Sequence, residues 1–195
     1  MLWWGRNIVT YPGPDFLGTA MHNRVVVGQL ETSDWVAEIG VGEAVRLFGR
    51  NSFRSFWGQF GWMCCPMPSW TYPPLALLTL AGIIGFIIQT IRYYRADKHG
   101  ENSYLIAFAG LLTLNLLLFL TYNLSFVQHQ ARYLFVSLIP IALLLTLGWS
   151  LWFQWLRERL KLPVYLLPIG LIIGLTGLNL LIIRSTLPCM SVAGC

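Results

Sequence analysis

The chain has 195 residues, of which 56% are hydrophobic and only 11% charged, whereas an ordinary soluble domain carries roughly 25% charged residues. That deficit excludes a conventional water-soluble domain. The net charge is +5, but no run of Lys and Arg interleaved with aromatics is available to track phosphates, which excludes nucleic acid as a partner. Before Ser55, Arg6, Arg24, Arg46, Arg50 and Arg54 balance Asp15, Glu31, Asp34, Glu38 and Glu43. The whole excess therefore lies in the apolar remainder.

In chain order, residues 1–70 predict an extracytoplasmic or interfacial cap, partly helical and compact, because Trp, Phe, Val and Leu recur through it. Tyr11-Pro12-Gly13-Pro14-Asp15 is a turn signal. Glu43 to Phe53 predicts a short amphipathic helix with Val45, Leu47 and Phe48 apolar. Its Arg46, Arg50 and Arg54 are expected to be exposed, either as a solvated basic face or as contacts to lipid head groups or a lipid-linked phosphate. The run Phe53 to Met63 crowds aromatics around Gly58 and Gly61. It predicts an interfacial or re-entrant element bearing Arg54, Trp57, Gln59 and Trp62.

Four stretches lack Asp, Glu, Lys and Arg: Ser55 to Ile91, Asn102 to Ala131, Tyr133 to Leu156, and Leu162 to Ile183. Each can supply the roughly 20 apolar residues that a helix needs to cross a bilayer. With Pro66, Pro68, Pro73 and Pro74 setting the first start, the spacing predicts helices at 73–93, 104–126, 132–155 and 163–184. The fold class is thus an all-α membrane protein: about four transmembrane helices in residues 71–195 plus the N-terminal cap. Pro140 and Pro168 are expected to kink their helices. Gly82 and Gly85, and the Gly170, Gly174 and Gly177 series, are expected to pack tightly against neighbouring helices. Trp149, Trp152 and Trp155 recur every third residue, which predicts a belt and packing stripe.

Orientation follows from Arg92, Arg95, Lys98, Arg157, Arg159 and Lys161, which share one side, against Arg132 and Arg184 on the other. By the positive-inside rule the six face the cytoplasm. The cap, the turn near Gln130 and both termini are then extracytoplasmic in a bacterial cytoplasmic membrane. Met1-Leu2-Trp3-Trp4-Gly5-Arg6 has no basic or apolar region of a signal peptide, so the expectation is a C-terminal part of a longer polytopic protein, or an unusual insertion.

Cys64, Cys65, Cys189 and Cys195 all fall on the outer side, where disulfides can form, but their connectivity cannot be read from sequence. The histidines His22, His99 and His129 are scattered, so no metal site is predicted, and no P-loop or G-x-S-x-G run supports ATP-driven or hydrolase chemistry. No cofactor is predicted. Asn123-Leu124-Ser125 matches a glycosylation acceptor lying against the membrane. The turn Gln128-His129-Gln130-Ala131-Arg132-Tyr133 is the strongest candidate site. A guanidinium at a membrane boundary suits a phosphate, to which it offers a fixed fork of donors, and the competing reading of Arg132 is snorkelling to the interface.

Several of these runs resemble one family. They are Trp4-x-Arg6-Asn7, Tyr11-x-Gly13 with Asp15, Ser55-Phe56-Trp57-Gly58-Gln59-Phe60-Gly61-Trp62, Pro68-x-Trp70-x-Tyr72, and Gln130-Ala131-Arg132-Tyr133-Leu134-Phe135. In this order they resemble the C-terminal part of bacterial multi-pass glycosyltransferases of the GT-C type, relatives of the family 39 protein mannosyltransferases, with Ala131 where relatives usually have glycine. The resemblance implies transfer of a sugar from a polyprenyl-phosphate donor, with Arg132, Tyr133 and Gln130 contacting the donor-lipid phosphate. It also implies a catalytic carboxylate in an earlier outer loop. No outer acid of this chain matches that position, and the module is expected to be inactive alone, completed by an upstream membrane polypeptide or other membrane subunits. The alternative is a non-enzymatic structural subunit of a membrane complex. Transport is disfavoured, since no helix carries a charge at mid-membrane.

Overall fold

A computed structural model describes residues 3–10, 21, 25, 28–60, 63–95 and 103–192. The expected turn at Tyr11 to Asp15, and Trp62, Lys98 and Cys195, lie outside the described residues. The elements are α1 (Trp3–Thr10), α2 (Thr32–Ile39), α3 (Val41–Gly58), β1 (Gln59–Phe60), β2 (Cys65–Pro66), α4 (Tyr72–Arg95), α5 (Ser103–Ser125), α6 (Leu138–Leu160) and α7 (Leu166–Val192). Tight 3₁₀ turns at Ser69–Thr71 and Ala131–Ser137 lead into α4 and α6. Four helical spans, Ser69–Tyr93, Ala107–Ser125, Ala131–Leu160 and Leu166–Ser191, are long and apolar enough to cross a membrane. The protein is an all-α, multi-pass membrane fold.

The prolines start helices and do not bend them where the sequence suggested. Pro140 and Pro168 sit in the first turns of α6 and α7, where the first backbone N–H groups have no helical acceptor and a missing one costs nothing. The proline inside a helix is Pro188, near the cap-side end of α7. That helix continues past Ile183, so Arg184 lies within it and not in a tail.

The core of the membrane part is the α4–α6 pair. Gly82 meets Leu145 and Gly148, and Gly85 meets Gly148 and Trp152, so the two helices run in the same direction, as the first and third spans of an alternating chain must. Without Cβ atoms at these positions the backbones touch. A Cβ on Gly148 would run into the carbonyl of Gly82, and one on Gly85 into that of Gly148. Close approach brings polar groups within reach across the seam. Trp149 Nε1 donates to the Leu78 carbonyl at 2.8 Å, Trp152 Nε1 to that of Ala81 at 2.7 Å, and Gln89 donates to the Leu147 carbonyl and to Ser150 Oγ. Trp149 and Trp152 are thus interhelical clamps more than a belt.

The second glycine series behaves oppositely. Among the described residues nothing lies within 4 Å of a Cβ built on Gly170, Gly174 or Gly177, which corrects the expected tight packing there. Helix α7 is held at its cap-side half. Leu175, Leu178 and Ile182 pack on a cluster of Met67, Tyr72 and Leu75, and a disulfide joins Cys189 to Cys65 across 124 residues of sequence. Cys64 is also disulfide-bonded. Four spans separate Cys65 from Cys189, and an even number of crossings returns the chain to the side it left, so bond and helix count agree.

The cap lies over the same ends. Its α3 runs well beyond the predicted Phe53, and the buried stripe differs from the expected one: Ala44 is buried while Val45 is 65% exposed. The chain then turns through the antiparallel pair β1–β2. Tyr72 closes this corner, its hydroxyl accepting from Met67 N at 3.0 Å and donating to the Gly58 carbonyl at 2.9 Å.

Candidate functional site: the turn beneath the cap

The turn between α5 and α6 is short, and its backbone groups must find partners near the membrane surface, where an unpaired polar group is costly. They find them in the cap. Ser55, on the inner face of α3, donates to the His129 carbonyl at 3.0 Å and accepts from Ala131 N at 2.7 Å. Ala131 is wholly buried at this contact. Asn123 in the last turn of α5 accepts from Gln128 N at 3.0 Å and donates to the Phe119 carbonyl. Its side chain is buried and committed, which argues against the glycosylation-acceptor reading.

The start of α2 is fastened to the same place. Thr32 Oγ1 donates to the Asn123 carbonyl at 2.8 Å, Val127 N donates to the Leu30 carbonyl at 3.0 Å, and Glu31 forms a bridge with Phe126.

His129 is the centre of this joint. Only 7% exposed, its ring lies 5.0 Å from that of Trp35 and 5.4 Å from that of Phe48. Phe48 in turn stacks on Phe119. Nδ1 faces the Asn51 amide nitrogen at 3.4 Å. Burial holds the imidazole below its ordinary pKa, because the apolar sandwich disfavours the cation. The sequence signal for this residue was weak: it stood in the candidate turn, and the scattered histidines predicted no metal site. Ser55 appeared only as the first residue of the Ser55 to Trp62 run, with no sign of its bonds to the turn, since these depend on which loop α3 covers.

The residues predicted to contact an anion are divided by the fold. Arg132 and Tyr133 are exposed on the 3₁₀ segment, and the Arg132 guanidinium carbon lies 5.6 Å from the Tyr133 ring centre. Gln128 donates to the Tyr133 hydroxyl at 3.1 Å, steadying the ring. Gln130 turns inward, and its Oε1 is buried without a hydrogen-bond partner.

The interfacial residues divide further. Arg54 is half-buried, not exposed as expected, with its guanidinium carbon 4.8 Å from the ring centre of Tyr72. Trp57 faces α7. Gln59 donates to the Met63 carbonyl at 2.7 Å. Of the other cap arginines, Arg46 is taken up by Glu43, donating through Nε at 2.7 Å, a contact that holds the Glu43 carboxyl below its ordinary pKa. Arg50 bonds Asn51 Oδ1 at 3.4 Å.

Among the described residues no group of three or more His, Cys, Asp or Glu converges as a metal site would. Compared with family models, curated proteins and solved structures, the chain matches none.

Proposed function

We propose that the chain is the membrane module of a glycosyltransferase using a polyprenyl-phosphate sugar, with Arg132 and Tyr133 contacting the phosphate of the donor lipid. The observation that carries this reading is an arginine presented on a braced aromatic at a membrane boundary, on a turn that the cap holds rigid. Planar guanidinium recognises phosphate by paired donors, and a rigid mount reduces the ordering cost of binding. Gln130, with its buried Oε1, acts in this reading by packing the turn and not as a first contact.

The cap side is read as extracytoplasmic in a bacterial cytoplasmic membrane. The oxidised Cys65–Cys189 pair supports it, since disulfides persist in oxidising compartments, as do Arg92, Arg95, Arg157, Arg159 and Lys161 at the opposite helix ends. The reaction's carboxylate comes from a further polypeptide, and the module alone is inactive.

The test is polyprenyl-phosphate binding in the assembled membrane complex. Arg132→Ala should weaken binding by about 2 kcal/mol or more, and Arg132→Lys by less, since it keeps charge and loses the fork. Equal affinity of wild type and Arg132→Ala would refute the site. A second reading, a structural subunit of a membrane complex, is favoured by one observation: the uncovered Gly170, Gly174 and Gly177 face of α7. Normal lipid-phosphate affinity together with loss of complex on Gly174→Leu would select it.

A further inference from the structure

A second place on the cap side combines a charge, a buried donor and an apolar hollow. Between α3, α4 and α7 lies a half-open cavity of about 150 Å³, walled by Trp57, Met67, Leu75, Leu178, Asn179 and Ile182. A cavity of that size accepts a molecule such as benzene, about six carbons. The indole Nε1 of Trp57 is buried and has no hydrogen-bond partner, although buried donors are nearly always satisfied. Three residues earlier, on the adjoining face of α3, the half-buried guanidinium of Arg54 rests on Tyr72. It has no carboxylate partner among the described residues. Tyr72 belongs to the same cluster as Met67, Leu75 and Ile182. The cation and the cavity are therefore neighbours across one ring.

These features ask for different things of one molecule. A half-buried guanidinium without a counter-charge among the described residues favours an anion with oxygen acceptors. The buried indole calls for a single neutral acceptor. The cavity, with walls from the membrane helices α4 and α7, favours hydrocarbon. Inorganic phosphate would meet the first need and leave the hollow unfilled, and a zwitterionic lipid would present its own cation to Arg54.

We propose that this is a binding site for an anionic phospholipid of the cap-side leaflet: phosphate oxygens on Arg54, an ester carbonyl accepting from Trp57 Nε1, and the upper methylenes of one chain in the cavity beside Asn179. The site differs from the Arg132 turn in its residues: Arg54 rests on Tyr72 and Arg132 on Tyr133, and the proposal uses neither Arg132 nor Tyr133.

The experiment uses the full chain purified in detergent, with palmitoyl-oleoyl phosphatidylglycerol, the matching phosphatidylcholine and inorganic phosphate as probes, read by native mass spectrometry. Dibrominated phosphatidylglycerol adds a second readout, since bromine near an indole quenches its fluorescence. The expected result is about tenfold preference for phosphatidylglycerol over phosphatidylcholine, lost in Arg54→Gln and largely kept in Arg54→Lys. Leu178→Trp, which fills the cavity and leaves the cation in place, should block the lipid, and Trp57→Phe should remove the bromine-sensitive part of the emission. Arg132→Ala should change none of this.

Equal retention of the two lipids, unchanged binding in Arg54→Gln, or unchanged binding in Leu178→Trp would each overturn the proposal. So would inorganic phosphate competing away phosphatidylglycerol with no effect of cavity filling, which would reduce the site to a surface cation. A variant that loses lipid and thermal stability together is decided by Arg54→Lys: recovery of both supports the site, and recovery of stability without lipid overturns it.

Discussion

At the scale of single residues, His129 shows how one side chain can tie two parts of a protein and set a condition on the tie. Its ring is sealed between Trp35 and Phe48, and the Asn51 amide faces Nδ1. The elements packed around it carry Glu31, Asp34 and Glu38, Glu43, Arg46, Arg50 and Arg54, Tyr122, Arg132 and Tyr133. Burial is nonetheless the sole cause of its lowered pKa, so no neighbouring carboxylate compensates a proton there. The unfolded chain then binds a proton more readily than the folded one between the ordinary value of 6.5 and the lower folded value. In that window stability rises with pH. Acidification below 6.5 should therefore loosen the cap, seen as a change in Trp35 emission and a falling melting temperature, whereas above it the residue contributes no pH dependence. His129→Gln should flatten the acid-side decline. A decline of equal size in that variant would assign it to other groups.

At the scale of elements, α4 and α6 form the tightest contact of the membrane part, and three glycines decide it. Because a Cβ at position 148 would strike the backbone of the facing helix, Gly148→Leu has to force the helices apart, breaking the Trp149 and Trp152 bonds to α4. Overpacking of this kind costs about 1–3 kcal/mol. The loss should appear as a lower melting temperature in detergent and faster proteolysis. Gly174→Leu is the internal control: among the described residues nothing lies within 4 Å of a Cβ there, so the isolated protein should tolerate it. Equal damage from both substitutions would show that intrinsic helix effects, and not the seam, explain the result. The two series look alike in sequence. Each has small residues on one side of an apolar helix, and spacing alone cannot say which of them meets a partner.

At the scale of the whole molecule, the cap, the turn between α5 and α6 and the cap-side end of α7 form one assembly. It is stapled covalently by Cys65–Cys189 and by hydrogen bonds from α3 and α2 to the turn. The bond gives the topology a direct check. In membranes alkylated on lysis, wild type should run faster on non-reducing than on reducing electrophoresis, because reduction opens both the Cys65–Cys189 bond and the bond of Cys64, and Arg157→Cys should label only from the cytoplasmic side. A thiol-reactive Cys65 in untreated cells would place the cap in a reducing compartment and invert the orientation. Removing such a cross-link typically costs about 2–5 kcal/mol in a small domain. Here the four spans already restrict the opened chain, so the effect is expected near the lower end.

What the sequence determined by itself follows from properties that act locally and add along the chain. Insertion into a bilayer responds to some 20 residues of composition, which is why the four spans were legible before any contact was known. Proline positions marked helix starts, although Pro140 and Pro168 showed that a proline near a predicted start begins the helix a few residues later in place of bending it. Charge placement put Arg92, Arg95, Arg157, Arg159 and Lys161 at the helix ends opposite the cap for a similar reason, since which end of a span a residue occupies follows from its position in the sequence.

The tertiary structure decided everything that depends on which surfaces meet. It turned Gly82, Gly85 and Gly148 into a seam and left Gly170, Gly174 and Gly177 open. It set Ser55 and His129, 74 residues apart, against each other, and separated Arg54 from Arg132 by giving the first to Tyr72 and the second to Tyr133. Close packing and hydrogen bonding act over a few ångströms, so they belong to pairs of residues brought together by the fold, and a linear pattern records only one member of each pair.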